Sequence, residues 1–374
     1  MNYIYLDNAA TTKPNAEILQ SSFEYFNKDG YFNPSALYKP ARAVKNAIES
    51  VRSNLLSLFP SGYDAIFTSG GTEADNLALF SFAKRGNIVT SQGEHSAINN
   101  TFNQLKQQGV ETRFAKLNKD GSVNEEHLLS LIDDKTTFVS IVHVNNETGA
   151  INDINAIAKR IKLKNKSIIF HSDGVQAFFK IPYRLSNDID AYSVSAHKIC
   201  ALKGVGALIY KKSLSVKAMI YGGGQEKNLR SGTENTFGIF VFGKTIESLK
   251  GKIVENYNNA HALNGLLRSK LEEVAEFLTD KNNTSPYVLS LSFPGIKAEI
   301  LQRVLEDEGV IVGTGSACSS KLGTSRIINA CGLDKRTGEG VIRLSLIYTT
   351  TEEEINQSAK IIIECVQKLR KALK

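Results

Sequence analysis

Thr137-Phe138-Val139-Ser140-Ile141-Val142-His143-Val144 is an apolar run with almost no polar interruption. A strand with one wet face alternates apolar and polar residues, whereas a run of this kind needs cover on both faces. Such strands belong to parallel sheets packed between helices. The flanking sequence agrees. From about residue 62 to 210, strand-like segments at 65–68, 87–90, 111–115, 137–144, 167–171, 191–195 and 206–210 alternate with helical patterns at 72–84, 96–108, 124–132 and 154–164. This rhythm predicts an α/β fold whose large domain holds a mainly parallel seven-stranded sheet.

The last third has another rhythm. A strand at 287–293, a helix at 297–308, a strand at 310–312, a small-residue loop, a short helix from Ser325, a strand at 341–347 and a long final helix predict a smaller α+β domain. Thr350 and Thr351, each with Glu three residues on, both read as capping boxes for that helix. The expected division is 15–245 for the large domain, with 1–14 and 246–374 forming the small one.

Bulk properties narrow the function classes. The 374 residues are 42% hydrophobic and 22% charged, ordinary for a soluble protein. The start lacks a basic, long-apolar signal, and no apolar run approaches the ~20 residues that span a bilayer, so a cytoplasmic location and no membrane partner are expected. Net charge is +7, but the basic clusters at 159–164 and 368–371 alternate with apolar residues, as solvated faces of amphipathic helices do. No stable nucleic-acid binding is expected. Four cysteines, at 200, 318, 331 and 365, form no C-x-x-C pair and no zinc spacing, so they read as free thiols. Cys365 falls on an apolar helical stripe, Cys331 has no charged neighbour, and His127, His143 and His261 read as structural or solvent-facing.

Three motifs carry chemistry. Thr68-Ser69-Gly70-Gly71-Thr72-Glu73 lies between a strand and a helix, where glycines and a helix N-terminus cradle phosphate. An ordinary glycine turn fits the same residues. His171-Ser172-Asp173-Gly174-Val175-Gln176 ends a strand, where α/β sheets place ligands. Asp173 there can hold a cationic ring nitrogen or simply cap a helix. Ser193-Val194-Ser195-Ala196-His197-Lys198 sets a lysine just past another strand. Lys198 is then either an amine nucleophile or a plain surface lysine. Together, a phosphate cup, an acid for a ring nitrogen and a Schiff-base lysine are the parts needed for pyridoxal phosphate.

Further stretches extend the pattern: residues 5–12, Asn33-Pro34-Ser35, Glu94-His95, residues 144–149, Gly222-Gly223-Gly224-Gln225-Glu226, Arg230-Ser231-Gly232-Thr233, residues 315–320 and Ile342-Arg343-Leu344-Ser345. With these the chain resembles, over nearly its whole length, the cysteine desulfurases of the class V aminotransferase group, which are fold-type I pyridoxal-phosphate transferases. The resemblance implies that Lys198 holds the cofactor and Asp173 its ring nitrogen, while Gln176 bonds its phenolic oxygen. Gly71, Thr72, Ser195 and His197 are implied as the phosphate site, with Thr233 supplied across a homodimer. His95 is implied to stack on the ring and move protons, and Asn146 and Arg343 to grip the substrate carboxylate. Cys318 is implied to receive sulfur from L-cysteine as a persulfide and to pass it to an acceptor protein, for iron–sulfur cluster assembly or tRNA thiolation. No metal site is implied beyond Cys318 as a candidate transient iron–sulfur ligand.

The chain departs from the family at three places. Ile199-Cys200-Ala201-Leu202 stands where an aromatic residue and Gly-Pro are usual, Ile347-Tyr348 follows Leu346 where glycine is usual, and Ala36-Leu37-Tyr38 lacks the usual histidine. None removes a catalytic group. Competing readings are a pyridoxal-phosphate aminotransferase or selenocysteine lyase, which need no carrier cysteine, and a non-enzymatic scaffold or RNA-binding homologue.

Overall fold

The computed structural model describes residues 3–83, 86–315 and 325–373. Its strands are β1 (Ile4–Leu6), β2 (Tyr63–Thr68), β3 (Asn87–Ser91), β4 (Glu111–Ala115), β5 (Thr136–Ser140), β6 (Ile169–Asp173), β7 (Ala191–Ser195), β8 (Gly206–Lys211), β9 (Glu276–Phe277), β10 (Val288–Ser292), β11 (Val310–Val312) and β12 (Val341–Ser345). Seven of them form one sheet in the order β2-β8-β7-β6-β5-β3-β4. All neighbours are parallel except β8, which runs antiparallel to both β2 and β7. Since β8 opposes both, β2 and β7 point the same way. The carboxyl ends of β2, β3, β5, β6 and β7 therefore open on one edge, where such sheets bind ligands.

Both faces of this sheet are buried, as the apolar run at 137–144 requires. Phe67, Val89, Val139 and Tyr192 pack into one apolar cluster. Their chain neighbours Ile66, Ile88, Phe138 and Ala191 pack into another, because successive side chains point to opposite faces. The ladder of β5 stops at Ser140 rather than Val144. Beyond it the Ile141 and His143 amides still donate to β6, at 3.1 and 2.9 Å. On the other side the Val142 amide donates to the Glu94 carboxylate at 3.1 Å, so a side chain replaces strand β3. Strand β6 starts at Ile169, not at Ser167, whose amide turns onto the Asn165 side chain at 2.9 Å.

The C-terminal residues build the three-stranded antiparallel sheet β12-β10-β9. Strand β1 pairs in parallel with β11, from Ile4–Val310 to Leu6–Val312. Leu6, Leu289, Leu301, Ile342 and Ile362 share the core between these strands and their helices, and Cys365 packs there too, as its helical stripe predicts. Of the two expected capping boxes one forms: Thr351 and Glu354 cap the helix Glu352–Ala372 reciprocally. Thr350 instead accepts from the Ile347 amide at 2.9 Å, which closes the preceding turn.

Candidate functional site

A cavity of about 480 Å³ lies at the carboxyl edge of the sheet and is lined by Gly71, Thr72, His95, Asn146, Asp173, Gln176, Ser195, His197, Lys198 and Arg343. These residues come from five strand ends and from β12, and the sequence singles out each of them. Thr233 lies elsewhere, lining a smaller cleft with Ser69, Arg230 and Asn235. Cys318 lies outside the described residues.

Lys198 ends a short 3₁₀ turn (Ala196–Lys198) directly after β7. Its Nζ donates to the carbonyls of Ala9 and Ala10 at 2.5 and 2.7 Å. Burial, reinforced by the Arg343 charge, pushes the ammonium down to about 8, so a free amine exists near neutral pH. Asp173 is 5% exposed and, far from capping a helix, accepts the Val175 amide of its own turn at 2.9 Å. Burial raises its pKa, while His95, the Val175 amide and Lys198 draw it back. A cationic ring nitrogen beside Asp173 would supply the positive partner that this buried carboxylate lacks.

Two further buried carboxyls belong to the site's surroundings, Asp75 in the cavity lining itself and Glu94 just before His95. Asp75 lies 3.7 Å from His171 Nε2, and burial together with the Asp173 charge raises it well above the usual carboxylate range. Burial pushes Glu94 up to about 8, although it accepts from Ser91 Oγ at 2.6 Å. His95 caps the helix Ser96–Gln107 by accepting the Ala97 amide on Nδ1 at 3.2 Å. Burial lowers its pKa, so the ring is neutral and carries its proton on Nε2. His197 Nδ1 lies 3.1 Å from Thr11 Oγ1, and burial with the nearby lysines pushes that ring down to about 4.

The cup at the start of the helix Gly71–Phe82 admits no side chain at its first residue. A Cβ on Gly71 would meet Val175 Cγ2 at 2.6 Å. Next to it the Ser195 hydroxyl is buried without a partner among the described residues, an orphaned donor that a phosphate oxygen would satisfy. Across the cavity, Arg343 donates to Asp7 Oδ1 at 2.6 Å and to the Asn146 carbonyl at 2.7 Å. Its Nε and the Asn146 Oδ1 are buried without partners among the described residues, which suits a grip on an anionic, hydrogen-bonding substrate. The lining thus fits pyridoxal phosphate: phosphate donors, a carboxylate and an amine share one cavity.

Sequence reasoning missed three contributors. Asp7 lies inside the stretch 5–12 and Asp75 two residues beyond the Thr68–Glu73 motif, and neither is given a role by the sequence. Lys180, 2% exposed, carried no signal, since a lone lysine after a turn reads as solvated. Two of the departures from the family pattern meet, since Tyr348 and Cys200 each perturb the other's hold on its proton.

Known proteins carry the same plan. The family model for aminotransferase class V matches residues 4–357. The cysteine desulfurase IscS of Clostridium botulinum is 35% identical over 98% of this chain and 95% of its own length. IscS of Dictyoglomus turgidum is 34% identical, again over 98% and 95%. Among solved structures, a NifS-like protein superposes with a TM-score of 0.91 at 32% identity, covering 98% of this chain and 99% of its own. A NifS-like protein from Rickettsia africae gives 0.87 at 31%, covering 97% and 99%. The family model spans most of the sequence, and the chain belongs to the class V aminotransferase family.

Proposed function

We propose that the chain is a pyridoxal-phosphate-dependent L-cysteine desulfurase, which converts L-cysteine to L-alanine and takes up the sulfur as a persulfide. The observation that carries this reading is the shared cavity of Lys198, Asp173 and the Gly71–Ser195 cup on one side and Arg343 on the other. Relatives named cysteine desulfurase, matching nearly end to end, support the choice of substrate.

When bound, pyridoxal phosphate supplies an electron sink for the pair left at the substrate's α-carbon. Gly71, Thr72, Ser195 and His197 would hold its phosphate, Asp173 would keep a proton on its ring nitrogen, and Lys198 would anchor it until the substrate amine takes its place. Arg343 and Asn146 orient the substrate carboxylate, Arg343 already fixed in place by Asp7. Lys198, with its lowered affinity for protons, takes the α-proton. His95, protonated on Nε2, is placed to exchange a proton with the substrate. Cys318, as thiolate, then forms an S–S bond to the substrate sulfur while the Cβ–S bond breaks, Cβ takes up a proton, and Lys198 returns the proton to the α-carbon to give alanine.

The acceptor of that sulfur is a protein of iron–sulfur cluster assembly or tRNA thiolation. We place the enzyme in the cytoplasm; no helix among the described residues is long and apolar enough to cross a membrane. A homodimer in which Thr233 serves the partner's site belongs to the same reading, and Tyr31, Leu37, Tyr38 and Tyr221 are apolar side chains exposed for such an interface to cover.

The decisive experiment is mass spectrometry after incubation with L-cysteine and pyridoxal phosphate. Added sulfur should sit on Cys318, Lys198→Ala should show no visible cofactor band, and light scattering should give twice the chain mass. Alanine and sulfide release undiminished in Cys318→Ala would sink the persulfide step and favour a lyase or aminotransferase.

A further inference from the structure

Lys180 follows Gln176 by four residues, at the end of a turn in which the Ala177 and Phe178 amides both donate to the Gly174 carbonyl at 2.9 Å. Just before it Phe179 adopts φ +56°, the left-handed region that aromatic residues avoid. Burial of Phe179 at 5% exposure, with its ring 4.7 Å from that of Phe178 at 76°, holds the chain in this reversal. The reversal carries Lys180 inward, beneath Gln176. There its Nζ donates to Gln176 Oε1 at 2.9 Å. Gln176 Nε2 in turn donates to the Ala9 carbonyl at 2.8 Å, the same carbonyl that accepts Lys198 Nζ at 2.5 Å.

This chain of contacts leaves the amide one orientation. An amine on a lysine serves here as donor and a backbone carbonyl only as acceptor, so Gln176 must turn its oxygen to Lys180 and its nitrogen to Ala9 and the cavity. One amide N–H goes to Ala9, and a second remains. Packing alone does not call for an amine at this place. A methionine would fill the same volume without the cost of desolvating a cation, and burial with the nearby Lys198 and Arg343 charges already pushes Lys180 down to about 7. A neutral amine keeps its N–H groups, so the contact survives deprotonation.

We propose that Lys180 is a positioning residue that locks the Gln176 side-chain amide with its N–H directed into the cofactor cavity, for donation to the phenolic oxygen of pyridoxal phosphate. The inference rests on the pyridoxal phosphate reading of the site. Without Lys180 the buried Gln176 oxygen, on a residue 4% exposed, has lost its donor and the amide is free to turn toward whatever donor the cavity offers.

A double-mutant cycle on the full chain separates this from a packing role. Lys180→Met, Gln176→Ala and the double variant are titrated with pyridoxal phosphate, and the visible band is read for affinity and position. Lys180→Met should weaken affinity about tenfold and shift the band. In the Gln176→Ala background the same substitution should change neither by more than about twofold. Lys180→Gln, which keeps an N–H donor, should recover part of the loss. Equal losses in both backgrounds, or no change in the first, would overturn the proposal. If Lys180→Met lacks native circular dichroism, Lys180→Leu takes its place in the cycle. Failure of the unaltered protein to bind pyridoxal phosphate would instead overturn the reading of the site, which keeps the two failures apart.

Discussion

Lys198 is the residue at which structure turns into reactivity. An ordinary lysine is protonated at neutral pH, and only its neutral fraction attacks a carbonyl. Desolvation disfavours the ammonium, and Arg343 adds like charge, which together place Lys198 near 8. The sign follows directly: capture of added pyridoxal phosphate by the cofactor-free protein should rise with pH, about tenfold per unit well below 8, and level off above it. Stopped-flow absorbance from pH 6 to 9.5 reads this. A rate still climbing at pH 9.5 would mean that Nζ is solvated like any surface lysine. Protons elsewhere in the site are set by the same cause, since burial keeps His95 neutral and Glu94 protonated near pH 7.

At the scale of elements, the turn after β6 shows how tightly a site loop is cut to its surroundings. A Cβ on Gly174 would lie 1.9 Å from Tyr192 Cζ and 2.2 Å from its hydroxyl. Tyr192 cannot give way, being fully buried with its hydroxyl 2.9 Å from His143 Nδ1. Gly174→Ala should therefore destabilise by about 3 kcal/mol, an overpacking cost, measured by urea unfolding. Gly109, at φ +90° with nothing within 4 Å of an added Cβ, meets strain alone, so Gly109→Ala should cost only about 1–2 kcal/mol. A strand with both faces buried is legible in the sequence because composition shows it without any periodicity, as in β7, which starts and ends where the sequence puts it; the edge strand β4 and the short β11 keep their expected bounds too. Other elements were not legible. Strand β1 has three residues and β9 two, and a strand so short is legible only where its flanks mark it, as the helix ending at Asp307 marks β11. The helix Thr236–Leu249 is buried almost all round, so the one-sided stripe that marks a helix is missing. Of the site, the residues inside motifs were readable; Lys180 was not, because its role depends on a backbone reversal at Phe179 that local sequence does not announce.

The whole molecule is tied together at the site. Residues 4–6 pair with β11 in the C-terminal core, and Leu6 is fully buried there. The same segment then crosses the cavity. Asn8 donates to the Ser345 carbonyl at 2.9 Å, Ala9 receives Gln176 and Lys198, and Thr12 Oγ1 donates to the His197 carbonyl at 2.8 Å. A strap anchored in both cores should couple their unfolding, and a buried histidine bonded to Tyr192 of the larger core reports whether it does. His143, 4% exposed, is pushed down to about 3 by burial, against an ordinary value near 6.5. Its folded affinity for protons is the lower one, so its effect on stability is neutral above about pH 6.5 and stability is lost as pH falls from there toward 3. At pH 5 the loss should be about 2 kcal/mol. Urea unfolding of the unaltered chain and of His143→Gln, at pH 7 and pH 5 and equal protein concentration, isolates this group from every other that titrates, since only the difference of differences is read. If the strap makes one cooperative unit, that difference appears in a single transition followed alike by tyrosine fluorescence and by circular dichroism. Two separate transitions, with the His143 effect confined to one of them, would show that the contacts of Asn8, Ala9 and Thr12 do not couple the cores.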